Sequence, residues 1–254
     1  MKSFVCGLAL AFVAAPAAAE DSALKKAARG VLAKYHDAVI SVKFVVKTAH
    51  AQGDQAQLEV AGTVLTPAGL TVVSDFTSNP SGFFFESDED KSETSDVKLI
   101  LKGGQEIPAK FVLRDRELDL AFVMPKEAKT KFTSVPLEKG PTPAVLDDLI
   151  YLFRFGKTLN REPALTLGRV ESVIKKPRTL IVPDLIDGVQ GLGSPVFDGS
   201  GRPLGIVVMR RSAMPPRSIT SVRDVLDLLK PVVVTAEDIQ RAAAQIGKPD
   251  EKQK

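Results

Sequence analysis

The chain has 254 residues, with 34 lysines and arginines against 31 aspartates and glutamates and a formal net charge of +3. This length allows one large domain or two small ones, and a hydrophobic fraction of 44% excludes an intrinsically disordered chain. The near-neutral charge and the scattered basic residues give no indication of a nucleic-acid-binding surface.

Residues 1–19 have the pattern of an export signal. Lys2 supplies a short positive start, residues 4–13 are apolar, and the alanines at 17–19 are suited to cleavage before Glu20. The apolar run is shorter than the roughly 20 residues that a membrane-spanning helix requires, so we interpret it as a signal peptide. No later segment is long and apolar enough to span a bilayer. We therefore expect an exported protein of the bacterial periplasm or the secreted fraction.

The single cysteine, Cys6, lies inside the predicted signal, so the mature chain is expected to contain no thiol. It can then form no disulfide bond, thiolate nucleophile or thiolate metal site. The two histidines, His36 and His50, are far apart in sequence and lack the spacing of a metal site. We therefore expect no metal ion and no cofactor.

The first half of the mature chain reads as one short helix followed by short strands. Residues 22–34 have a helix-forming composition within an N-terminal helical segment, 20–38. Runs that alternate or are rich in β-branched residues then predict strands, separated by turns rich in glycine and proline. These predicted strands are residues 39–46, 57–65, 70–73, 97–101, 107–113 and 119–124.

The second half again consists of short predicted strands, and it follows a connection at 125–143 that is rich in lysine and proline. Its predicted strands are residues 149–153, 166–174, 180–182, 195–197 and 204–209, and its predicted helices are 222–229 and 236–246. Short strands with turns about every 8–12 residues are typical of a β-sandwich or barrel.

We predict an all-β protein with two six-stranded antiparallel β-barrels, at about 39–125 and 144–211. These barrels form one domain, 39–230, between the N-terminal helix and a C-terminal helix with a frayed tail, 231–254.

One turn carries a family resemblance. Residues 190–195, Gln-Gly-Leu-Gly-Ser-Pro, resemble the G-[DN]-S-G-G-P turn of trypsin-like serine proteases, which holds the nucleophile and leads into a hairpin. Alignment on Pro195 places Leu192 at the nucleophilic serine and Gly193 at the glycine that follows it. Ser194 then occupies the position of the second glycine.

Three further segments are similar to the HtrA/DegP branch of that family. They are AGTVLTPAGLTVVSDF, VKLILKGGQEIPAKFVLRDRELDLAFV and PALTLGRVESV, and ITSVRDVLDLL is similar to the helix that closes such a domain. The resemblance runs from about residue 39 to residue 229. It implies the double-barrel fold stated above, and we expect no PDZ module.

The resemblance implies a degenerate catalytic site. The family's aspartate falls on Asp119, its histidine on Phe76 and its serine on Leu192. A phenyl ring cannot exchange a proton, and an isobutyl group has no lone pair for attack on a carbonyl. In other hydrolases, loss of the base or the nucleophile lowers turnover by about 10⁶. Backbone donors at Leu192 and Gly193 are expected to retain at most a binding pocket.

Three residues offer alternatives to this interpretation. Ser194 is the candidate nucleophile of a rearranged serine endopeptidase, although turns also favour serine. His50 precedes the strand that the family's histidine follows, so we expect it in an exposed loop, and we expect His36 to be structural. Asp119 can also be purely structural, with its carboxylate accepting backbone N–H bonds.

Two further segments are candidate binding elements. In this family the strand that ends at Met209 and Arg210 pairs with substrate by β-augmentation, provided that its edge is open. The segment 77–96 holds three phenylalanines and an acidic run, and it is either a solvated loop or a contact with a partner.

We therefore expect an exported, inactive trypsin-like protein that binds an extended polypeptide or an envelope protein and does not bind nucleic acid. The alternatives are an active serine endopeptidase and a structural accessory whose cleft is filled by Phe76 and Leu192.

Overall fold

The fold was analysed in a computed structural model that describes residues 22–47, 55–78, 93–127, 129–140, 142–184, 191–209 and 230–247. Helix α1 (Ala23–Tyr35) begins after Ser22, whose Oγ accepts a hydrogen bond from the Lys25 N–H at 3.4 Å. This helix confirms the predicted N-terminal helix. None of the described helices is long and apolar enough to cross a membrane.

The first barrel closes through six antiparallel strands in the order β1-β2-β3-β6-β5-β4. Alternation along β1 shows why these residues form a barrel strand: Ile40, Val42, Phe44 and Val46 all face the apolar interior. The strands are β1 (Val39–Lys47), β2 (Gln55–Val64), β3 (Thr71–Ser74), β4 (Glu93–Ile100), β5 (Glu106–Asp115) and β6 (Leu120–Pro125). A four-residue helix, α2 (Asp75–Ser78), follows β3.

The second barrel closes in the order β10-β11-β12-β9-β8-β7, which confirms the predicted all-β fold of two six-stranded barrels. Its strands are β7 (Asp148–Arg154), β8 (Pro163–Ile174), β9 (Leu180–Pro183), β10 (Pro195–Asp198), β11 (Pro203–Met209) and β12 (Pro231–Thr235). Alternate residues of β7 pack into two different hydrophobic cores. Leu149 and Tyr151 face the barrel interior, whereas Ile150 and Leu152 face the core between the barrels.

The core between the barrels also receives both terminal helices. Tyr35 of α1 stacks on Phe197 of β10, with ring centroids 5.4 Å apart. Helix α3 (Ala236–Ala243) buries Ile239 and Ala242 in the same core. The connection predicted at 125–143 crosses this region without strands after β6, and Val135 donates its N–H to the Val64 carbonyl at 2.9 Å. Chain segments from both halves therefore fix the position of one barrel against the other.

The sixth strand of the second barrel lies beyond the predicted boundary at residue 211. β12 (Pro231–Thr235) pairs with β11 and β9, so the barrel extends into the segment that the sequence assigned to the C-terminal helix. Three consecutive valines favour a strand, and Thr235 then caps α3 by accepting the Asp238 N–H. The helix predicted at 222–229 lies outside the described residues.

Candidate functional site

Asp119 is the central residue of the candidate site and lies in the turn directly before β6. Its backbone has a positive φ of 56°, and its side chain is 1% exposed. Three donors hold the carboxylate. Ser74 Oγ donates to Oδ2 at 2.6 Å, the Phe76 N–H donates to Oδ1 at 2.6 Å, and the Met209 N–H donates to Oδ2 at 2.8 Å. The aspartate thus ties β3 and α2 of the first barrel to β11 of the second.

The electrostatic state of Asp119 follows from its burial. Loss of solvent raises the pKa of this carboxyl to about 7, and the charge of Asp75 acts in the same direction. The three hydrogen-bond donors lower the pKa but do not offset the burial. Near neutral pH the group therefore exchanges between its two protonation states. In the protonated state Oδ2–H donates to Ser74 Oγ, and both backbone N–H groups keep their acceptors.

Phe76 stands at the position that the resemblance assigns to the catalytic base. It lies on α2, where only its backbone N–H engages Asp119. Its half-buried ring packs against the interior cluster of the second barrel, which includes Leu192, Tyr151 and Met209. A ring at this place contributes apolar contact between the barrels and cannot carry a proton.

Leu192 stands at the position that the resemblance assigns to the nucleophile. Its side chain is 1% exposed and belongs to the cluster against which Phe76 packs. The tertiary structure therefore brings the positions that the resemblance assigns to the base and the nucleophile to one apolar cluster. The carboxylate of Asp119 lies beside that cluster and receives no hydrogen bond from an imidazole.

Gly193 belongs to the seam between the barrels. Its N–H donates to the Val207 carbonyl at 2.8 Å, and its carbonyl accepts from Thr63 Oγ1 at 2.7 Å. Its φ is 83°, and a Cβ added here would lie 2.4 Å from the Ala61 carbonyl oxygen. The Gly193 N–H is therefore not a free donor for the binding pocket expected from the sequence, because the Val207 carbonyl of β11 already accepts it.

Ser194, the alternative nucleophile, is 1% exposed. Its Oγ has no hydrogen-bond partner, and its backbone is paired with Gly191 and Val207. Among the described residues the sole histidine is His36, which contacts the Leu32 carbonyl and Asp37, so it is not a base for this hydroxyl. His36 is the residue that follows the last turn of α1, and His50 lies outside the described residues.

The predicted peptide-binding strand is paired on both sides over part of its described length. β11 pairs with β12 from Gly205 to Met209 and with β10 as far as Ile206. Val207 then bonds to Gly193 and Ser194, and the Met209 N–H is used by Asp119. Strand addition therefore has no free edge between Gly205 and Val207, and binding at Met209 and beyond stays a prediction. Arg210 lies outside the described residues.

Sequence reasoning missed the polar groups that support this site. Ser74 lies two residues before Phe76 and holds Asp119, and its place directly after the apolar run of β3 was the available signal. Arg114 pairs with Asp75 and donates to Ser78 Oγ at 2.8 Å, so it anchors both ends of α2. Of the predicted loop 77–96, residues 79–92 lie outside the described chain, and β4 begins at Glu93.

Two closed six-stranded barrels, with the candidate site where β3, β6 and β11 meet, define a double-barrel protein of the chymotrypsin-fold class. Comparison with protein-family models matches residues 60–206, more than half of the chain, to the trypsin-like peptidase domain. The chain belongs to the family of trypsin-like peptidase domains. Comparison with curated protein sequences gives no match.

Proposed function

We propose that this chain is an exported, HtrA/DegP-like member of the trypsin-like family that lacks peptidase activity and acts by binding another protein. One observation carries the proposal. Phe76 and Leu192, at the positions of the base and the nucleophile, belong to a single apolar cluster, while the carboxylate of Asp119 is hydrogen-bonded to Ser74 and the backbone. A serine peptidase requires a nucleophile, a base and a group that orients the base.

A rearranged serine endopeptidase is the alternative, with Ser194 as its nucleophile. The burial of Ser194 and its unpartnered Oγ count against it, because an activated serine needs a base within hydrogen-bonding reach. Substrate would also have to displace the packed side chains around Leu192. We therefore favour the inactive protein.

The closed cleft also bears on where a partner binds. Leu192 is buried, and β11 is paired on both sides from Gly205 to Val207, so this part of the former cleft offers little surface to an extended peptide. This geometry supports a folded envelope protein as the partner, bound outside the former catalytic cleft. The accessory interpretation, in which Phe76 and Leu192 fill the cleft, shares this consequence.

Catalytic inactivity is tested with a fluorophosphonate probe, which labels activated serines. We expect no labelling of the mature protein and no release of fluorescent peptides from labelled casein, because the described site holds no activated hydroxyl. Trypsin in the same assay controls for the probe. Labelling that disappears in Ser194→Ala but persists in Ser172→Ala, an exposed serine of β8, would establish the rearranged peptidase instead.

Export and partner binding are tested on chain purified from its native envelope through a C-terminal tag. We expect an N-terminus at Glu20, because residues 17–19 form the small-residue cleavage site, and a defined envelope protein that co-purifies. That protein should rebind the purified chain at a fixed stoichiometry, and binding should persist when Leu192→Ala alters the former cleft. A mature chain that keeps Met1 contradicts export, and purified components that fail to rebind contradict the binding function.

A further inference from the structure

A second cavity opens at the seam between the barrels and is formed by different residues from the candidate site. Its volume is about 450 Å³. One wall is the turn between β4 and β5, including Lys102 and Gly104, and the other is the segment from Arg154 to Pro163. We call this space the seam cavity. Its size is in the range of small-molecule binding sites.

Arg154 forms the inner wall of the seam cavity. Its guanidinium donates to three backbone carbonyls: Nε to Val39, Nη2 to His36, and Nη1 to Arg161 at 2.6 Å. These contacts fix the plane of the guanidinium and use three of its five N–H donors. Among the described residues Arg154 has no ion pair at salt-bridge distance, and the more distant carboxylates of Asp37 and Glu162 help the three carbonyls to stabilise its charge.

Two exposed lysines add to this charge from opposite barrels. Lys102 belongs to the first barrel, and Lys157 lies in the short 3₁₀ helix (Lys157–Leu159) of the second. No described carboxylate forms an ion pair with either lysine. Glu162 is the single acidic residue of the lining and, with Asp37, it partly balances the charge of Arg154, so the two lysines are the cations that no described carboxylate pairs with.

The remaining arginine of the lining is already neutralised. Arg161 forms a two-pronged ion pair with Glu59 of β2, with Nε–Oε1 and Nη2–Oε2 distances of 2.6 and 2.8 Å. This pair joins the two barrels beside the cavity. It also leaves Arg154, Lys102 and Lys157 as the cations available to a ligand.

Another large cavity, of about 520 Å³ beside α3, has most of its cations paired. The pairs are Lys139 with Glu237 at 3.0 Å, Arg241 with Asp238 at 2.6 Å, and Arg178 with Glu117. The seam cavity differs in that a smaller share of its lining cations is paired with described carboxylates.

We propose that the seam cavity binds a phosphate group, either as free orthophosphate or as the phosphoryl group of a small molecule. The fixed guanidinium plane of Arg154 has N–H donors to spare for a tetrahedral oxyanion, and the two lysines supply flexible charges around it. The Gly103–Gly104 turn leaves the approach open, since no atom lies within 4 Å of the Cβ positions of these glycines. The cavity is larger than orthophosphate, which leaves room for an organic substituent.

The ligand would connect the two barrels, because Lys102 and Lys157 belong to different ones. A bound phosphate would then stabilise their relative arrangement and raise the thermal unfolding midpoint by mass action. The inference is independent of the proposed function, because it uses no residue of the former catalytic cleft.

The test is titration of the mature protein with sodium phosphate at constant ionic strength, followed by calorimetry and by backbone amide NMR. We expect saturable binding with a Kd on the order of 1 mM or tighter. The amide signals of residues 102–104 and 157–161 should shift first. The double variant Lys102→Gln/Lys157→Gln should weaken binding by about tenfold or more, because hydrogen bonds from charged donors are lost.

The matched control is Lys26→Gln/Lys110→Gln, which removes the same charge from exposed positions away from the cavity. It should change the Kd by less than about twofold, because distant surface charges are screened. Parallel titration with glycerol 3-phosphate separates the two sources, and the tighter ligand identifies which one the site prefers. Absence of saturation up to about 20 mM phosphate, or equal weakening in the two double variants, would overturn the proposal.

Discussion

Replacement of Gly193 with alanine is expected to lower the free energy of unfolding by about 3 kcal/mol or more. The new Cβ would lie 2.4 Å from the Ala61 carbonyl oxygen, at a φ of 83° that alanine rarely adopts. The clash is with backbone of the opposite barrel, so no side chain can rotate away from it. Guanidinium unfolding followed by circular dichroism measures the change.

Gly30→Ala is the matched control for this prediction. Gly30 lies within α1, and no atom is found within 4 Å of its Cβ position. Alanine is favoured over glycine in a helix, so this variant should raise the free energy of unfolding by about 1 kcal/mol. Equal stability of the two variants would mean that the close approach of the barrels at Gly193 is absent in solution.

The second large effect is expected from Asp119→Asn. The amide has one oxygen, whereas the carboxyl accepts backbone N–H bonds on both of its oxygens, from Phe76 and from Met209. Either orientation of the amide therefore sets an NH₂ group against a backbone N–H. We expect a loss of about 1–3 kcal/mol from the unpaired donor, together with a change in how stability depends on pH.

The sign of that pH dependence follows from the raised pKa of Asp119, which is about 7 in the folded protein against an ordinary value of 3.8. Between these values the folded state binds more protons than the unfolded state. The wild-type contribution is thus fully present below about pH 4 and decreases as the pH rises through 7. It amounts to at most a few kcal/mol.

Unfolding curves at intervals from pH 5 to pH 8 test this prediction. The wild-type free energy of unfolding should fall more steeply with pH than that of Asp119→Asn, since the amide does not titrate. Subtraction of the two curves removes the contributions of all other groups. Parallel curves would show that Asp119 keeps one protonation state throughout this range.

The strands of this protein could be predicted well from local pattern. Alternation in residues 39–46 and the β-branched residues elsewhere predicted eleven of the twelve strands, and turn glycines marked the ends of several of them. β12 was missed because its five residues follow a predicted helix and end in Thr235, the residue that caps α3, so the short valine run was grouped with the C-terminal helix. Its role as a barrel strand depends on pairing with β11 and β9, which are distant in sequence.

The candidate site was predictable only in part. The sequence placed Asp119, Phe76 and Leu192 by resemblance, but it could not supply the partners of Asp119. Those partners come from residues 45 positions before it and 90 positions after it in the chain. The same limit explains why the sequence did not show that Val207 of β11 accepts the Gly193 N–H, because that hydrogen bond joins separate segments of the chain.

The sequence by itself determined which chemical groups this protein can present, because a phenyl ring and an isobutyl group have no atom that can transfer a proton or attack a carbonyl. It also determined eleven of the twelve strands, since alternation and turn residues act over a few neighbouring positions. Only the tertiary structure decided that Phe76 packs on the cluster of Leu192, that Asp119 is held by both barrels, and that Arg154 and two unpaired lysines line a cavity at the seam. These features depend on contacts between residues far apart in the chain, and such contacts are set by how the two barrels close and pack together.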